Sequence, residues 1–160
     1  NLEIIDGGTL GFKLMAYFQE YDNVIILDTV SIEDTAGSIY RLPSEVLLGL
    51  GNYRKTAHEV EIVEMLEIVS VLDSHANVTI MGIIPEDIIS VEIGLTKKME
   101  EKFEEYILNI IKEIESLGIK SKKINNIAIK DIVKNIIGSY NGEHLNRIPN
   151  EEDFTHAINI

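Results

Sequence analysis

The amino-acid sequence predicts an α/β fold in which helices cover both faces of a twisted, mostly parallel sheet. Segments typical of strands alternate along the chain with segments typical of helices, which is the pattern of α/β layer folds. Residues 24–27 (Val-Ile-Ile-Leu) are apolar without interruption, as expected for a strand that is covered on both faces. At 160 residues, the chain is long enough to bury a sizeable core.

The first part of the chain is predicted to contain a strand, a helix and two further strands. Residues 2–5 are β-prone and stop at a Gly-Gly turn, after which Thr9 is placed to cap a helix. The apolar strand then ends at Asp28, and residues 37–42 form a short strand that Pro43 closes. The apolar residues of the helix recur at helical spacing and are Leu10, Leu14, Met15 and Phe18.

The middle of the chain is predicted to continue with a loop, a helix, a strand and a long helix. Residues 44–57 are interrupted by glycine and asparagine, which favours a loop. A helix is expected from His58 to about residue 72, and a strand over 77–84. Thr96 and Gly118 are placed to begin and end a long amphipathic helix.

The α/β domain is expected to span residues 1–118, and the character of the chain changes after it. Residues 119–160 contain a predicted helix over 127–137, which Gly138 would end, and then a polar stretch. We interpret this part as an appended helix and a tail rather than as a second domain.

Composition excludes several classes of function. The chain contains 27 acidic and 14 basic residues, a net charge of −13, which disfavours binding to nucleic acid. Its lack of cysteine excludes disulfides, thiolate catalysis and cysteine-based zinc sites. No apolar run reaches the roughly 18–20 residues of a membrane span, and no secretory leader is visible. We therefore expect a cytoplasmic protein that is not inserted in a membrane.

Three polar residues fall where α/β proteins place their ligand sites. Asp6 and Asp28 each follow a predicted strand, and the crevice at the carboxyl ends of parallel strands is where ligands bind. His58 begins a predicted helix, and an imidazole with two carboxylates suits a first-row divalent metal. The alternative is structural: each aspartate closes a turn or caps a helix, and the histidine is a cap or a surface residue.

Other catalytic motifs are missing from the sequence. There is no Gly-x-Ser-x-Gly elbow and no Walker loop. The His-Glu-x-x-His motif is also missing, because His58-Glu59 is followed by Ile62 where the motif requires a second histidine. The Gly7-Gly8 turn could offer backbone amides to a phosphate or another small anion. Asp6 argues against that use, because it places a carboxylate at the same position.

Five segments, taken in order, resemble the nickel–iron hydrogenase maturation endopeptidases. The resemblance covers roughly residues 2–117 and implies a single α/β domain. It also implies an endopeptidase of the aspartyl type that clips a C-terminal peptide from the hydrogenase large-subunit precursor once nickel has been inserted. The nickel would be presented by that substrate, and no organic cofactor is implied. The segments are Asp6-Gly7-Gly8-Thr9, Val24-Ile25-Ile26-Leu27-Asp28, Gly37-Ser38-Ile39, Thr56-Ala57-His58-Glu59 and Gly82-Ile83-Ile84-Pro85.

The same resemblance assigns roles to the three polar residues. Asp28 and His58 match the family's aspartate and histidine metal ligands, and Asp6 matches a residue close to the cleavage chemistry. A metal could polarise the scissile carbonyl or a water, with an aspartate as general base. The family's first strand, and a helix that carries a glutamate ligand, would precede Asn1, so we expect the sequence to be truncated there. The alternative is a non-catalytic metal- or partner-binding module on the same scaffold.

Overall fold

The computed structural model describes residues 1–8, 14–49, 64–65, 67–68, 76–89 and 94–139. Contacts between residues divide the chain into two compact units, one formed by residues 1–91 and 95–121 and the other by residues 92–94 and 122–160. The elements are α1 (Met15–Glu20), β1 (Asn23–Thr29), β2 (Ile39–Pro43), α2 (Ser44–Gly49), β3 (Asn77–Ile83), α3 (Lys97–Ser116) and α4 (Ile129–Ser139).

The described strands form a three-stranded mixed sheet in the order β1-β3-β2. β1 and β3 pair in parallel, from Asn23 opposite Asn77 to Thr29 opposite Ile83. β2 pairs with β3 in the antiparallel direction. Because β1 and β3 run the same way, their carboxyl ends lie at one end of the sheet.

One face of the sheet packs against α1 and against a helical segment that includes Met65. Phe18 of α1 is 1% exposed and Met65 is 0% exposed, so both side chains are in the core. These two residues meet the even-numbered side chains of the strands, as the period of two along a strand requires. The other members of this cluster include Leu42, Val78 and Ile80, with Val24 and Ile26 packed against it.

The opposite face of the sheet carries α3. The Thr96 hydroxyl accepts a hydrogen bond from the Met99 amide (3.4 Å), which caps the first turn as predicted. The Tyr106 hydroxyl donates to the Met81 carbonyl of β3. Gly118 follows the helix with φ +86°, a conformation that favours glycine. With helices on both faces of the sheet, the predicted α/β class is confirmed.

Residues 2–5 do not form the predicted strand. No described residue forms a strand ladder with them, and Leu2 and Ile4 are 51% and 90% exposed. The segment is instead tied to the end of α1, because the Tyr21 hydroxyl donates to the Glu3 carboxylate. A β-prone composition makes a strand only where a neighbouring strand supplies backbone partners.

Two helix boundaries also differ from the sequence predictions. Ser44–Gly49 is helical although residues 44–57 were expected to be a loop, and Glu45 lies in its first turn, where a negative charge is favourable. The last described helix runs over Ile129–Ser139, so Gly138 lies inside it. Thr9, residues 50–57 and the predicted helix start at His58 lie outside the described residues. Among the described helices, none is both long and apolar enough to cross a membrane.

Candidate functional site at the carboxyl ends of β1 and β3

Asp28 lies at the carboxyl end of β1, where the predicted ligand crevice is expected. It is the last but one residue of the strand and stands opposite Gly82 of β3. Its carboxylate is half-buried, and one oxygen accepts a hydrogen bond from the Thr29 amide (2.7 Å). Strand alternation puts Asp28 on the face of Ile26, between that residue and the buried Val30.

Gly82 allows the chain after β1 to lie directly on β3. A Cβ atom at residue 82 would lie 2.6 and 2.8 Å from the two γ-methyl carbons of Val30. Val30 is only 7% exposed, and its amide donates to the Ile83 carbonyl (3.1 Å). The end of β1 is therefore held against β3, by the pairing of Asp28 with Gly82 and by the Val30 side chain that packs on Gly82.

Tyr106 of α3 lies within electrostatic reach of Asp28. Burial, and to a smaller extent the negative charge of Asp28, raise the pKa of Tyr106 to about 12. The phenol is therefore protonated at neutral pH, as its hydrogen bond to the Met81 carbonyl requires. α3 is thus attached to β3 one residue before the strand partner of Asp28.

Asp6 is exposed and closes a turn. Its carboxylate accepts a hydrogen bond from the Gly8 amide (3.0 Å), and Gly8 has φ +55°. This is the turn-closing role that was the structural alternative for Asp6. A carboxylate has further lone pairs, so the turn does not consume its capacity to accept a proton.

The convergence of Asp6, Asp28 and His58 stays a prediction. His58 lies outside the described residues, and the described part of the chain holds no group of three or more side chains of the metal-binding types. Asp28 is placed at the strand end that the sequence predicts for a ligand. Its role as a metal ligand with His58, and the catalytic role of Asp6, rest on the sequence.

A cleft of about 320 Å³ opens at the same end of the sheet, and we refer to it as the strand-end cleft. It lies between the residues that follow β1 and those that follow β3. The cleft is not predicted from the sequence, although the adjacent isoleucines Ile88 and Ile89 after Pro85 are a signal for it. The lining residues are Val30, Ser31, Ile84, Pro85, Glu86, Asp87, Ile88 and Ile89.

A larger cleft of about 700 Å³ lies between residues 34–41 and α3, and it is polar. Most of its charges have partners within it or nearby, such as Lys102 with Glu105 (2.7 Å). The Asp34 carboxylate accepts from the Tyr40 hydroxyl and the Thr35 amide (both 2.6 Å), and these bonds lower the pKa of Asp34. This pairing leaves the larger cleft with little uncompensated charge for a reaction.

Comparison with known proteins agrees with this fold. The sequence profile of the hydrogenase maturation protease family matches residues 1–113. Protein HydD of Wolinella succinogenes is 32% identical over 134 residues, which cover 79% of this chain and 84% of that protein. The hydrogenase 2 maturation protease of Escherichia coli is 26% identical over 122 residues, covering 75% of this chain and 74% of that protein.

Two solved structures of endopeptidases have a fold similar to that of this chain. The hydrogenase-maturating endopeptidase HybD from E. coli superposes with a TM-score of 0.67 at 27% identity, over 74% of each chain. The solution structure of an endopeptidase from E. coli gives a TM-score of 0.66, also at 27% identity and over 74% of each chain.

The layered fold makes this chain an α/β protein, a class in which ligands commonly bind at the carboxyl ends of the parallel strands. Within that class, the chain belongs to the hydrogenase maturation protease family. This membership gives it a role in the maturation of hydrogenases.

Proposed function

We propose that the chain is an endopeptidase that removes the C-terminal peptide of a nickel–iron hydrogenase large-subunit precursor after nickel insertion. The observation that carries the proposal is the position of Asp28. It lies at the carboxyl end of a parallel strand pair, beside a cleft, in a member of the hydrogenase maturation protease family. The partner is the precursor, and the processing is proposed to take place in the cytoplasm.

In this proposal, Asp28 and His58 bind the nickel that the substrate carries and thereby distinguish a loaded from an unloaded precursor. An aspartate carboxylate and a histidine imidazole are suitable ligands for a first-row divalent ion. Asp28 is half-buried, and its carboxylate gains a positive partner when the loaded precursor binds, so a nickel-free precursor binds less well. The protease would therefore act only on a large subunit whose metal insertion is complete.

Asp6 is the proposed general base. Its carboxylate takes a proton from a water whose oxygen attacks the scissile carbonyl carbon. When the C–N bond breaks, the same carboxyl group returns the proton to the leaving amine nitrogen. The exposed Asp-Gly-Gly turn suits this role, because an extended peptide can reach its carboxylate from solvent.

Cleavage of a purified, nickel-loaded precursor tests the proposal. Asp28→Asn and His58→Ala are expected to abolish cleavage, because each removes one of the two groups that contact the nickel. Asp22→Asn is the matched control, since Asp22 is an exposed aspartate just before the other end of β1. His75→Ala is the control for His58, since His75 precedes the first residue of β3 by two positions.

Undiminished cleavage by both Asp28→Asn and His58→Ala would contradict the proposal. Binding of the nickel-loaded precursor without any cleavage by the unaltered chain would favour the alternative, a non-catalytic binding module.

A further inference from the structure

The strand-end cleft has an apolar floor and an apolar wall. The floor is formed by Val30 and Ile84, each 7% exposed, together with Pro85. The wall is formed by Ile88 and Ile89, which are 59% and 90% exposed. A cleft of about 320 Å³ has room for a large apolar side chain.

The exposure of Ile88 and Ile89 is unusual because the two residues are adjacent and line an apolar cleft. A single exposed apolar residue is ordinary on a protein surface, but two adjacent ones beside a concave apolar floor indicate a binding surface. The two isoleucines lie in a local turn, in which the Ile89 amide donates to the Asp87 carboxylate (2.7 Å). The wall is therefore presented by a defined turn.

The cleft begins two residues after Asp28, the proposed nickel-contacting residue. Val30 follows Asp28 by two residues and packs on Gly82, the strand partner of Asp28. Ile84 follows Gly82 by two residues. The segment after β1 and the segment after β3 therefore both enter the cleft directly after the Asp28–Gly82 pair. We therefore expect the residues next to the nickel-carrying part of a peptide held at Asp28 to lie near this cleft.

We propose that the strand-end cleft is a specificity subsite that takes one large apolar side chain of the substrate peptide, close to the bond that is cut. The inference rests on the proposed function and names the chemistry of the peptide that the same site accepts. Glu86 and Asp87, both exposed, line the cleft in a chain of net charge −13, so an acidic side chain is repelled there. Lysine is tolerated better than glutamate, because its aliphatic stem lies on the isoleucines while its ammonium group reaches Glu86.

The test uses nickel-loaded precursors in which the residues on either side of the scissile bond are replaced one at a time by Leu, Ala, Lys or Glu. We expect one position at which kcat/KM falls in the order Leu, Lys, Glu. At that position, Ala lowers kcat/KM by roughly 10–100-fold relative to Leu, because the apolar contacts are lost.

Two variants of the protease connect this preference to the cleft. Ile89→Asp should raise KM for the Leu precursor about 10-fold or more and change cleavage of the Ala precursor little. Glu86→Lys should reduce the advantage of the Lys precursor over the Glu precursor, while Asp87 keeps its negative charge at the cleft. The matched control is Ile124→Asp, because Ile124 is also strongly exposed (88%) and does not line the cleft. The exposed side chains at these positions contribute little to folding, which thermal melting of each variant checks.

The outcomes separate the inference from the proposed function. Equal cleavage of the Leu, Ala and Glu precursors at every position, or no effect of Ile89→Asp, would overturn the subsite and leave the endopeptidase proposal in place. Failure of the unaltered chain to cut any precursor would overturn the endopeptidase proposal, and the subsite with it.

Discussion

At the residue scale, Gly82 and Val30 determine how closely the end of β1 can approach β3. The absence of a side chain at residue 82 leaves the space that the Val30 methyl groups occupy. This contact lies beside Asp28, so its geometry also fixes where that carboxylate stands. The sequence marks Gly82 only as part of a resembling segment, because nothing local indicates that a residue 52 positions earlier needs its Cβ space.

Gly82→Ala should lower the free energy of unfolding by about 1–3 kcal/mol, since the new methyl group overlaps Val30 and must displace it. The double variant with Gly82→Ala and Val30→Ala should lose about 1 kcal/mol less free energy of unfolding than the sum of the losses in the two single variants. Urea denaturation of the four proteins measures this coupling. Strictly additive losses would contradict the packing described for this strand end.

At the element scale, the Arg41 side chain of β2 joins the sheet to α3. Its Nε and Nη2 atoms donate to the two carboxylate oxygens of Glu113 (2.6 and 2.8 Å). The Glu113 side chain is 9% exposed and that of Arg41 is 52% exposed. The hydrogen bonds from Arg41, and its positive charge, hold the pKa of Glu113 below its usual value against the opposing effect of burial.

Stabilisation by this pair should depend on pH in a defined direction. A carboxyl group with a lowered pKa stabilises the fold above its ordinary pKa of 4.5, and the effect is lost as pH falls through the folded-state value. Glu113→Gln should therefore lower the free energy of unfolding by about 1 kcal/mol at neutral pH, a value discounted for the exposure of Arg41. At a second, acidic pH below the folded-state pKa of Glu113, the difference should vanish.

The control for this prediction is the exposed pair between Lys102 and Glu105, whose side chains are 34% and 56% exposed. Glu105→Gln should change stability by about 0.3 kcal/mol or less at neutral pH. Denaturant unfolding at both pH values checks the pair of variants. A loss for Glu113→Gln that is the same at both pH values would show that the charge of Glu113 is not responsible.

Elements with strong local signals were predicted well, and those that depend on partners were not. The bounds of α3 follow from a capping threonine and a terminal glycine, both of which act within one turn of the helix. Residues 2–5 have a strand-like composition but no strand partner among the described residues. Met65 is a core residue that the helical pattern of residues 58–72 did not single out. The Arg41–Glu113 pair joins residues 72 positions apart, so no local pattern could predict it.

At the scale of the whole molecule, the sheet brings a carboxylate and an apolar cleft to one end. The sequence predicts the carboxylate, because Asp28 directly follows a buried strand, and it predicts the family through an ordered series of segments. The cleft depends on how the segments after β1 and β3 are packed together, which strand periodicity alone does not determine. The proposed nickel-binding residue Asp28 and the proposed apolar subsite therefore lie at the same end of the sheet.

The most direct test of this central claim measures binding rather than cleavage. The Asp6→Asn protein, expected to bind without cutting, is titrated calorimetrically with nickel-loaded and with nickel-free precursor. The loaded form should bind at least about 10-fold more tightly, since loss of one charged contact corresponds to roughly 1.4 kcal/mol or more. Adding Asp28→Asn should remove that difference, whereas adding Asp22→Asn should preserve it. Equal binding of the two precursors by Asp6→Asn, or a preference for nickel that survives Asp28→Asn, would contradict the claim that this strand end reads the metal.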